Sequence, residues 1–327
     1  MTPYQLASDT VLAEALRVAQ QRHLPDPNVV LIDVGYRILD GMGHMTTDEI
    51  TVRVHLRRKL RGEDFLRFRT RHPERVPVSD VIGFAVDVPE GPYRLHNDYA
   101  PYQILYWRHA FGKIQDPLCG GVSVSSALVP GAGTLGGKVV DRHSGAEMIL
   151  SNWHVLAGQW AAAPGVEIFQ PGRLDGGGAE LAVGQFARHA FADDMDAAVA
   201  SLNGARDCVN TQLNLAPVRG LGEPALGMGV VKSGRASGVT TGVVTGIGGV
   251  AKFMYDGLLR VVRNVVHIAP LRAGAEVSAP GDSGAFWLDA ASHHAVALHF
   301  AGVNAPEYGL GMAMAPVLDA LGVDLSL

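Results

Sequence analysis

The sequence predicts a mainly β protein: a double six-stranded β-barrel with a short C-terminal helix, preceded by a small α+β domain. Two observations predict this class. Glycine supplies 40 of the 327 residues, well above the usual ~7%, and many short apolar runs are separated by glycine-containing turns, as in strands joined by tight turns. A chain of this length can also bury more than one core.

Residues 1–115 differ from the rest and are expected to form an accessory α+β domain that ends in a connector. Leu12, Leu16 and Val18 recur at helical spacing, which predicts an amphipathic helix. The segment has no acid, base and nucleophile at a spacing typical of a catalytic site. It is therefore expected to dock a partner, cover the rest of the chain or place a substrate. Its other predicted elements are strands at 28–39, 47–56 and 81–88 and a helix over GEDFLRFRTRH.

Residues 116–327 are expected to form the double barrel, with one barrel at about 116–215 and the other at 216–327. A break near Pro217 separates two sets of short apolar runs, and the tail PVLDALG predicts the C-terminal helix. Ahead of this region, Pro, Gly and Asn mark a connector over 89–118. Its aromatic side chains indicate that it packs against the protein: Tyr102, Tyr106, Trp107 and Phe111.

Charge and hydropathy exclude several classes of partner. The formal net charge is −5 and the sequence pI is about 6.2, and no Lys/Arg block has the density typical of nucleic-acid binding. We interpret the densest basic stretch, Arg53–Arg61, as the solvated face and end of a strand. No run approaches the ~18 consecutive apolar residues of a membrane span. Neither nucleic acid nor a membrane is therefore expected as a partner.

The chain has two cysteines, Cys119 and Cys208, which cannot build a disulfide framework and lack the short spacing of a metal site. Such scarcity fits a reducing compartment, although a single bridge stays open. The N-terminus has no basic region followed by an apolar core, so a cytoplasmic location is expected. Neither a metal nor an organic cofactor is expected, and the oligomeric state is left open.

The sharpest local signal is the run Ala279–Gly284, Ala-Pro-Gly-Asp-Ser-Gly. A nucleophilic serine needs a base to take its proton and backbone N–H groups to bind an oxyanion. Gly281 lets the backbone turn so that its N–H and that of Ser283 converge, while Gly284 leaves room for a substrate. Asp282 is expected to anchor the loop through an internal ion pair or hydrogen bonds. The alternative is an ordinary β-turn in a glycine-rich chain.

Two further segments supply a base and a carboxylate. His154 follows the apolar run AEMIL and a polar turn, and a base is best held at the end of a rigid strand. Asp196 opens the small, apolar segment DAAVASL, and for that reason it is preferred to Asp193 and Asp194. The alternatives are that His154 is one of 13 histidines without a special role, and that the aspartate simply belongs to a turn.

Together the three residues form a stronger signal than any one of them. Their order is His154, Asp196, Ser283, which is one of three known orders of a serine-hydrolase triad. The first two lie in the first predicted barrel and the serine lies in the second. The site is therefore expected in the cleft between the barrels.

The motifs ILSNWHV, DAAVASL and PGDSG resemble the histidine, aspartate and serine motifs of the trypsin-like (chymotrypsin-fold) serine peptidases. More narrowly, the chain is similar to cytosolic trypsin-like peptidases of bacteria and of the plant narrow-leaf type. Those also carry a small domain ahead of the protease, and they share segments that match Lys232–Val243 and Leu298–Gly302 here. The resemblance covers residues 119–327 well and the N-terminal domain only loosely.

The resemblance implies a serine endopeptidase that cuts a protein or peptide substrate. Ser283 attacks the carbonyl, His154 serves as base and then acid, and Asp196 orients His154. The amides of Gly281 and Ser283 bind the oxyanion. A catalytically silent trypsin-fold peptide-binding module stays open as an alternative. An esterase of another fold is disfavoured, because a Gly-x-Ser-x-Gly elbow is absent.

The resemblance also implies where the specificity pocket lies. Val277 stands where trypsins carry an aspartate, so cleavage after Lys or Arg is not supported. A hydroxyl at Ser278 with a histidine at His299 resembles glutamate-specific bacterial peptidases and picornaviral cysteine proteases, so cleavage after Glu or Gln is expected. Phe300 and Ala301 complete the wall. The plain alternative is that His299 packs beneath Phe300 and plays no selective part.

The sequence departs from the digestive members of this family at several points. Trp153 replaces a small residue before the histidine, Ala285 replaces a second glycine after the serine, and the disulfides are missing. A basic residue followed by Ile-Val-Gly-Gly is also absent, so activation by a newly cut N-terminus that pairs with Asp282 is not expected. Activation by a protein partner or by the N-terminal domain is expected instead.

Overall fold

The structure is a computed structural model that describes residues 1–39, 46–95, 111–272, 274–304 and 307–327. The connector aromatics Tyr102, Tyr106 and Trp107 lie outside the described residues, whereas Phe111 is described and buried. In the described part, no helix is both long and apolar enough to cross a membrane.

The helices and strands are numbered in chain order. The helices are α1 Pro3–Ser8, α2 Thr10–His23, α3 Gly62–Arg71, α4 Trp153–Leu156 and α5 Met314–Leu321. The N-terminal strands are β1 Val29–Ile38, β2 Thr46–Leu56, β3 Asp80–Val81, β4 Phe84–Asp87 and β5 Arg94–Leu95. Strands β6 to β14 are Leu118–Gly120, Ser123–Ser126, Gly133–Thr134, Gly137–Asp141, Glu147–Ser151, Glu167–Phe169, Ala182–His189, Ala198–Leu202 and Cys208–Gln212. Strands β15 to β22 are Gly220–Leu221, Gly229–Gly234, Gly238–Tyr255, Leu258–Ala269, Phe286–Asp289, His294–Asn304, Glu307–Ala313 and Val323–Leu325.

The first barrel is a closed antiparallel sheet. β8 and β9 follow one another almost without a break and act as one strand. The order around the barrel is therefore β7, β8/β9, β10, β13, β12, β11 and back to β7. The C-terminal strand β22 pairs with the other edge of β9, so the chain end is tied to this barrel.

The second barrel closes in the same way. The order is β16, β19, β20, β21, β18 and β17, and β17 pairs with β16 again. Over residues 238–242 of β17 buried and exposed side chains alternate strictly, as expected of a strand with one face on a core. Helix α5 follows β21, so the mainly β double barrel with a short C-terminal helix that the sequence predicts is confirmed.

The N-terminal strands extend the second barrel's sheet. β1 pairs antiparallel with β17, for example Leu31 with Ala251, and β2 pairs with the outer edge of β1. Helix α2 packs its buried Leu12 and Leu16 into the same apolar cluster as Ile32 of β1. The predicted N-terminal helix is confirmed, although it is divided in two at Asp9, whose carboxylate caps α2 by accepting from the Leu12 amide (3.0 Å).

One predicted strand is a hairpin instead. Residues 81–88 turn between β3 and β4 because Ile82 and Gly83 adopt positive φ angles of 52° and 80°. Asp80 stabilises this turn by accepting a hydrogen bond from the Gly83 amide (3.0 Å). Because the apolar residues continue through the turn, the sequence pattern resembled one continuous strand and did not indicate that the chain reverses.

Both cysteines are free thiols in the described chain. Cys119 on β6 and Cys208 on β14 are buried on two short strands that pair in parallel. Burial raises the pKa of the Cys208 thiol to about 12, so this side chain behaves as a small apolar core residue.

Candidate active site

His154 and Asp196 form a buried pair in the first barrel. His154 lies on the short helix α4 directly after β10, and Asp196 lies just before β13, the strand that pairs with β10. The His154 Nδ1 atom is 2.5 Å from Asp196 Oδ2, and the His154 backbone N–H donates to Asp196 Oδ1 (3.2 Å). Among the described residues, His154 Nε2 has no hydrogen-bond partner. This ring nitrogen can therefore accept a proton from a nucleophile.

Two neighbours hold the Asp196 carboxylate and its backbone. The Tyr255 hydroxyl donates to Asp196 Oδ2 at 3.0 Å, and Asn152 Nδ2 donates to the Asp196 carbonyl at 2.6 Å. Burial and the nearby carboxylate raise the pKa of Tyr255 well above its usual value, so the phenol stays protonated and remains a donor. These bonds fix the carboxylate that in turn fixes the imidazole.

Tyr255 reaches the first barrel because the β17–β18 hairpin is long. Tyr255 pairs with Leu258 at its tip, well beyond the part of β17 that closes the barrel. Trp160 of the first barrel donates from its indole N–H to the Tyr255 carbonyl (3.1 Å). Trp153, next to His154, stacks on Trp160 with ring centroids 4.3 Å apart. The hairpin thus spans from the second barrel to the histidine of the first.

Ser283 lies in the second barrel against the loop that carries the histidine. A methyl group added at Gly133 would lie 2.4 Å from Val155 Cγ2 and 2.9 Å from the Ser283 carbonyl, so Ser283 and the neighbour of His154 meet across this glycine. The Ser283 hydroxyl donates to the Phe300 carbonyl (3.1 Å). In this rotamer the hydroxyl is directed at β20.

The loop before Ser283 presents two backbone donors. Within the described residues, the N–H groups of Gly281 and Ser283 make no hydrogen bond. The loop is pinned from the first barrel, because the Thr134 hydroxyl donates to the Gly281 carbonyl (2.8 Å) and the Thr134 amide donates to the Ser283 carbonyl (2.7 Å). Gly281 has a φ of 108°, a conformation that favours glycine. Two free amides held in this way can stabilise an oxyanion.

Asp282 is anchored by an internal cation. Lys232 Nζ lies 2.7 Å from Asp282 Oδ2, and both side chains are fully buried. The same carboxylate accepts from the Ser237 hydroxyl (2.5 Å) and from the amides of Ser237, Ala236 and Ala279 (3.0, 2.8 and 2.9 Å). Burial alone would raise the pKa of Asp282, but Lys232 and the hydrogen bonds hold it far below its usual range. The expected internal anchor is therefore present.

The residues assigned to the specificity pocket are all buried: Val277, Ser278, His299, Phe300 and Ala301. A methyl group at Gly309 would contact Val277 Cγ1 (3.1 Å) and His299 Cε1 (3.4 Å), so these two side chains face the same glycine. Trp287 Nε1 donates to His299 Nδ1 (3.2 Å). The neutral imidazole therefore carries its proton on Nε2. Ser278 Oγ is buried without a hydrogen-bond partner among the described residues.

The structure adds an acid to this group. Glu307 Oε1 accepts hydrogen bonds from the amides of Val277 (3.0 Å) and Ser278 (3.2 Å). Burial raises the pKa of Glu307 even though the two amide hydrogen bonds oppose the shift. A half-buried carboxylate thus lies at the backbone of the predicted pocket.

Sequence reasoning missed three of these side chains: Lys232, Tyr255 and Glu307. Lys232 had a usable signal, since a single lysine inside the apolar run GVVKSG needs a counter-ion once it is buried. Tyr255 and Glu307 lie near the ends of hairpins, and their targets depend on how far those hairpins reach. No local pattern marks them.

A cavity lies beside His154. This cavity of about 210 Å³ is bordered by Val129, Trp153, His154, Gln159 and Asp256. It lies between the first barrel and the tip of the β17–β18 hairpin.

No protein-family model matches the chain, and no curated protein matches it. Solved structures with a similar fold include the Nocardiopsis protease NAPase (18% identity, 64% of this chain and 100% of that chain, TM-score 0.49) and Cellulomonas bogoriensis chymotrypsin (18% identity, 64% and 98%, TM-score 0.46). A glutamic acid specific serine protease described as using a histidine triad in substrate binding is also similar (17% identity, 64% and 100%, TM-score 0.48). At this level the similarity concerns the fold alone. The strand order itself establishes the chymotrypsin-type double barrel.

Proposed function

We propose that the chain is a serine endopeptidase with His154, Asp196 and Ser283 as its triad. The observation that carries this proposal is the buried His154–Asp196 pair, with Nε2 of the ring unpartnered among the described residues and Ser283 held against the same loop across Gly133. Ser283 would attack the peptide carbonyl, and His154 would take the proton and then give it to the leaving amine. The amides of Gly281 and Ser283 would bind the oxyanion.

The test is covalent labelling of the purified full chain by a small fluorophosphonate. We expect wild-type protein to be labelled, and Ser283→Ala and His154→Ala variants to remain unlabelled, because the probe needs both an activated serine and its base. A wild type as inert as Ser283→Ala, both alone and with candidate protein partners added, contradicts the endopeptidase proposal. A peptide-binding module would then be supported by peptide binding that survives in Ser283→Ala.

The proposed activation does not require a new N-terminus. In the proposal, the Lys232–Asp282 pair takes the place of a cleaved terminus as the anchor of the oxyanion loop, since the carboxylate already has a buried cation. Control of activity would then act on access to the site, through the N-terminal region or a protein partner. Activity that appears only after removal of N-terminal residues by a protease, with a new amine bound to Asp282, would contradict this.

For specificity we propose cleavage after Gln or Glu, with Gln preferred at neutral pH. The Ser278 hydroxyl, which has no hydrogen-bond partner among the described residues, suits a carbonyl oxygen on the substrate side chain. The Glu307 carboxylate disfavours a second negative charge nearby, and this penalty is relieved when Glu307 is protonated. Matched peptides that differ only in Gln, Glu or Lys at the cut site, assayed from pH 5 to pH 8, test this. Preference for Lys throughout would refute it.

A further inference from the structure

Strand β20 has an edge that starts at the proposed nucleophile. On one side β20 stays paired with β21 as far as Asn304. On the other side its pairing with β19 ends at Leu298, and the Ser283 hydroxyl donates to the carbonyl of Phe300 two residues later. Beyond Phe300 this side of β20 is therefore not covered by β19, and extended peptides bind edges of this kind by adding a strand.

In this structure the edge is already occupied by the chain itself. β5 pairs antiparallel with β20, with Leu95 opposite Ala301 and Arg94 opposite Gly302. The direction of β5 leads from Gly302 towards Ala301, and so towards Phe300 and the serine. A peptide substrate on this edge would need the same backbone groups.

The segment before β5 is firmly attached to the protein. The Leu56 amide donates to the Pro89 carbonyl, and the Gly91 amide donates to the Leu56 carbonyl (both 2.9 Å). The buried Tyr93 hydroxyl lies 2.7 Å from His55 Nδ1 and 3.0 Å from His267 Nε2. These contacts place Arg94 and Leu95, the next two residues, beside β20.

The two residues of β5 differ in their side chains. Leu95 is buried in the same apolar cluster as Phe300 and Phe253, whereas the Arg94 side chain is exposed. The subsite next to Ala301 therefore holds an apolar side chain, while the position opposite Gly302 faces solvent. The side chains of Arg94 and Leu95 thus indicate what kind of residue the β20 edge accepts at each of the two positions.

We infer that Arg94–Leu95 is an internal competitor, which lies where an extended peptide on the Ala301–Gly302 edge would lie and places an apolar residue at the Leu95 position. This inference rests on the proposed function. A tethered segment competes at an effective concentration that can reach the millimolar range. The apparent affinity for a peptide added in solution is lowered by the fraction of molecules whose edge is free.

Binding tests the inference independently of catalysis. The probe is a fluorescent peptide with the sequence of residues 90–96, EGPYRLH, added to Ser283→Ala protein that also carries a change in β5. Arg94→Pro removes a backbone N–H and disfavours strand pairing, while its matched control Arg94→Ala keeps the N–H. Because the Arg94 side chain is exposed, neither change alters the core. We expect at least tenfold tighter binding to Arg94→Pro than to Arg94→Ala.

A second pair of variants acts on the apolar contact. Leu95→Asp should also open the edge, whereas Leu95→Met should keep it closed, and thermal unfolding identifies any variant that fails to fold. In the background with Ser283 intact, we expect hydrolysis of peptides to rise about tenfold in Arg94→Pro over Arg94→Ala, with fluorophosphonate labelling unchanged because that probe is too small to need the edge.

The outcomes separate the two proposals. Equal peptide affinity for Arg94→Pro and Arg94→Ala, or no binding to either, overturns the inference. Normal labelling with no gain in hydrolysis overturns the competition between Arg94–Leu95 and substrate. Absent labelling in every variant, together with tighter peptide binding to Arg94→Pro, removes the endopeptidase proposal and leaves the docking edge standing.

Discussion

Removal of the buried Lys232 charge beside the Gly281–Ser283 loop is the sharpest test of how the candidate site is built. In Lys232→Met, the carboxylate of Asp282 loses its counter-charge inside the protein. At 2.7 Å the lost attraction is roughly 6 kcal/mol for an effective dielectric constant of about 20. Four donors remain on the carboxylate, the Ser237 hydroxyl and the amides of Ser237, Ala236 and Ala279. We therefore expect the free energy of unfolding to fall by about 3 kcal/mol, the lower end for a broken buried pair.

Urea unfolding at pH 7 measures this loss, with two controls. Lys138→Met removes a lysine whose partner Glu147 is about half exposed, so it should cost less than about 1 kcal/mol. Lys232→Met combined with Asp282→Asn removes both buried charges and should recover most of the loss. A loss below about 1 kcal/mol in Lys232→Met, or a double variant no more stable than the single one, would refute the reasoning.

The pH dependence of the same variant has a definite sign. Lys232 and the hydrogen bonds hold the folded-state pKa of Asp282 below its unfolded value despite burial. The stability from this group is therefore present above about pH 4 and is lost as the pH falls further. In Lys232→Met the folded-state pKa rises, so the deficit relative to wild type should shrink between pH 7 and pH 4. A deficit that does not change with pH would show that Asp282 is not the group responsible.

Three further changes test the rest of the site. Tyr255→Phe removes a hydrogen bond to the charged Asp196, worth about 1.5 kcal/mol, so the rate of fluorophosphonate labelling should fall about tenfold; an unchanged rate would remove Tyr255 from the positioning of the triad. Burial raises the pKa of Glu307, so in wild type the rate of hydrolysis after Glu divided by the rate after Gln should rise from pH 7 to pH 5, and Glu307→Gln should abolish that rise in the same peptide assay. The ratio cancels any effect of pH on the triad that is common to both peptides, and a ratio that does not change in wild type would contradict a role of Glu307 in selection. Gly284→Ala places a methyl group 2.1 Å from the Thr134 carbonyl at a φ of 98°, so thermal unfolding should show a loss of at least about 2 kcal/mol, and a stable variant would contradict the described loop.

Much of the double barrel could be predicted because its signals are local. Runs such as GVVKSG and HAVALHFAG are short and bounded by turns, and each is a strand in the structure. His154, Asp196 and Ser283 were likewise predicted from motifs at strand ends. In the structure His154 and Asp196 are hydrogen-bonded to each other, and Ser283 packs against Gly133, which also contacts Val155 next to His154. A residue whose position is set by the strand adjacent to it in the sequence can be predicted from the sequence alone.

What could not be predicted depends on pairing between distant segments. A strand pattern shows that β1 will pair, but it does not show that its partner is the far half of β17. For the same reason the hydrogen bond from Tyr255 to Asp196 could not be predicted, because no sequence pattern near residue 255 shows how far the β17–β18 hairpin extends. The pairing of Arg94 and Leu95 with β20 involves only two residues, too few to produce a periodic signal.

The sharing of β17 between the barrel and the N-terminal strands limits how the chain can be shortened. A protein that begins at residue 116 would keep both barrels and the three residues of the proposed triad, but it would leave residues 246–251 of β17 without the strand that covers their edge. It would also uncover Ile247, which belongs to the apolar cluster that α2 helps to bury. An exposed apolar edge of this kind recruits other chains. The N-terminal region and the second barrel therefore share one sheet and one apolar cluster, so variants for study should be sought by substitution in the full chain, not by truncation.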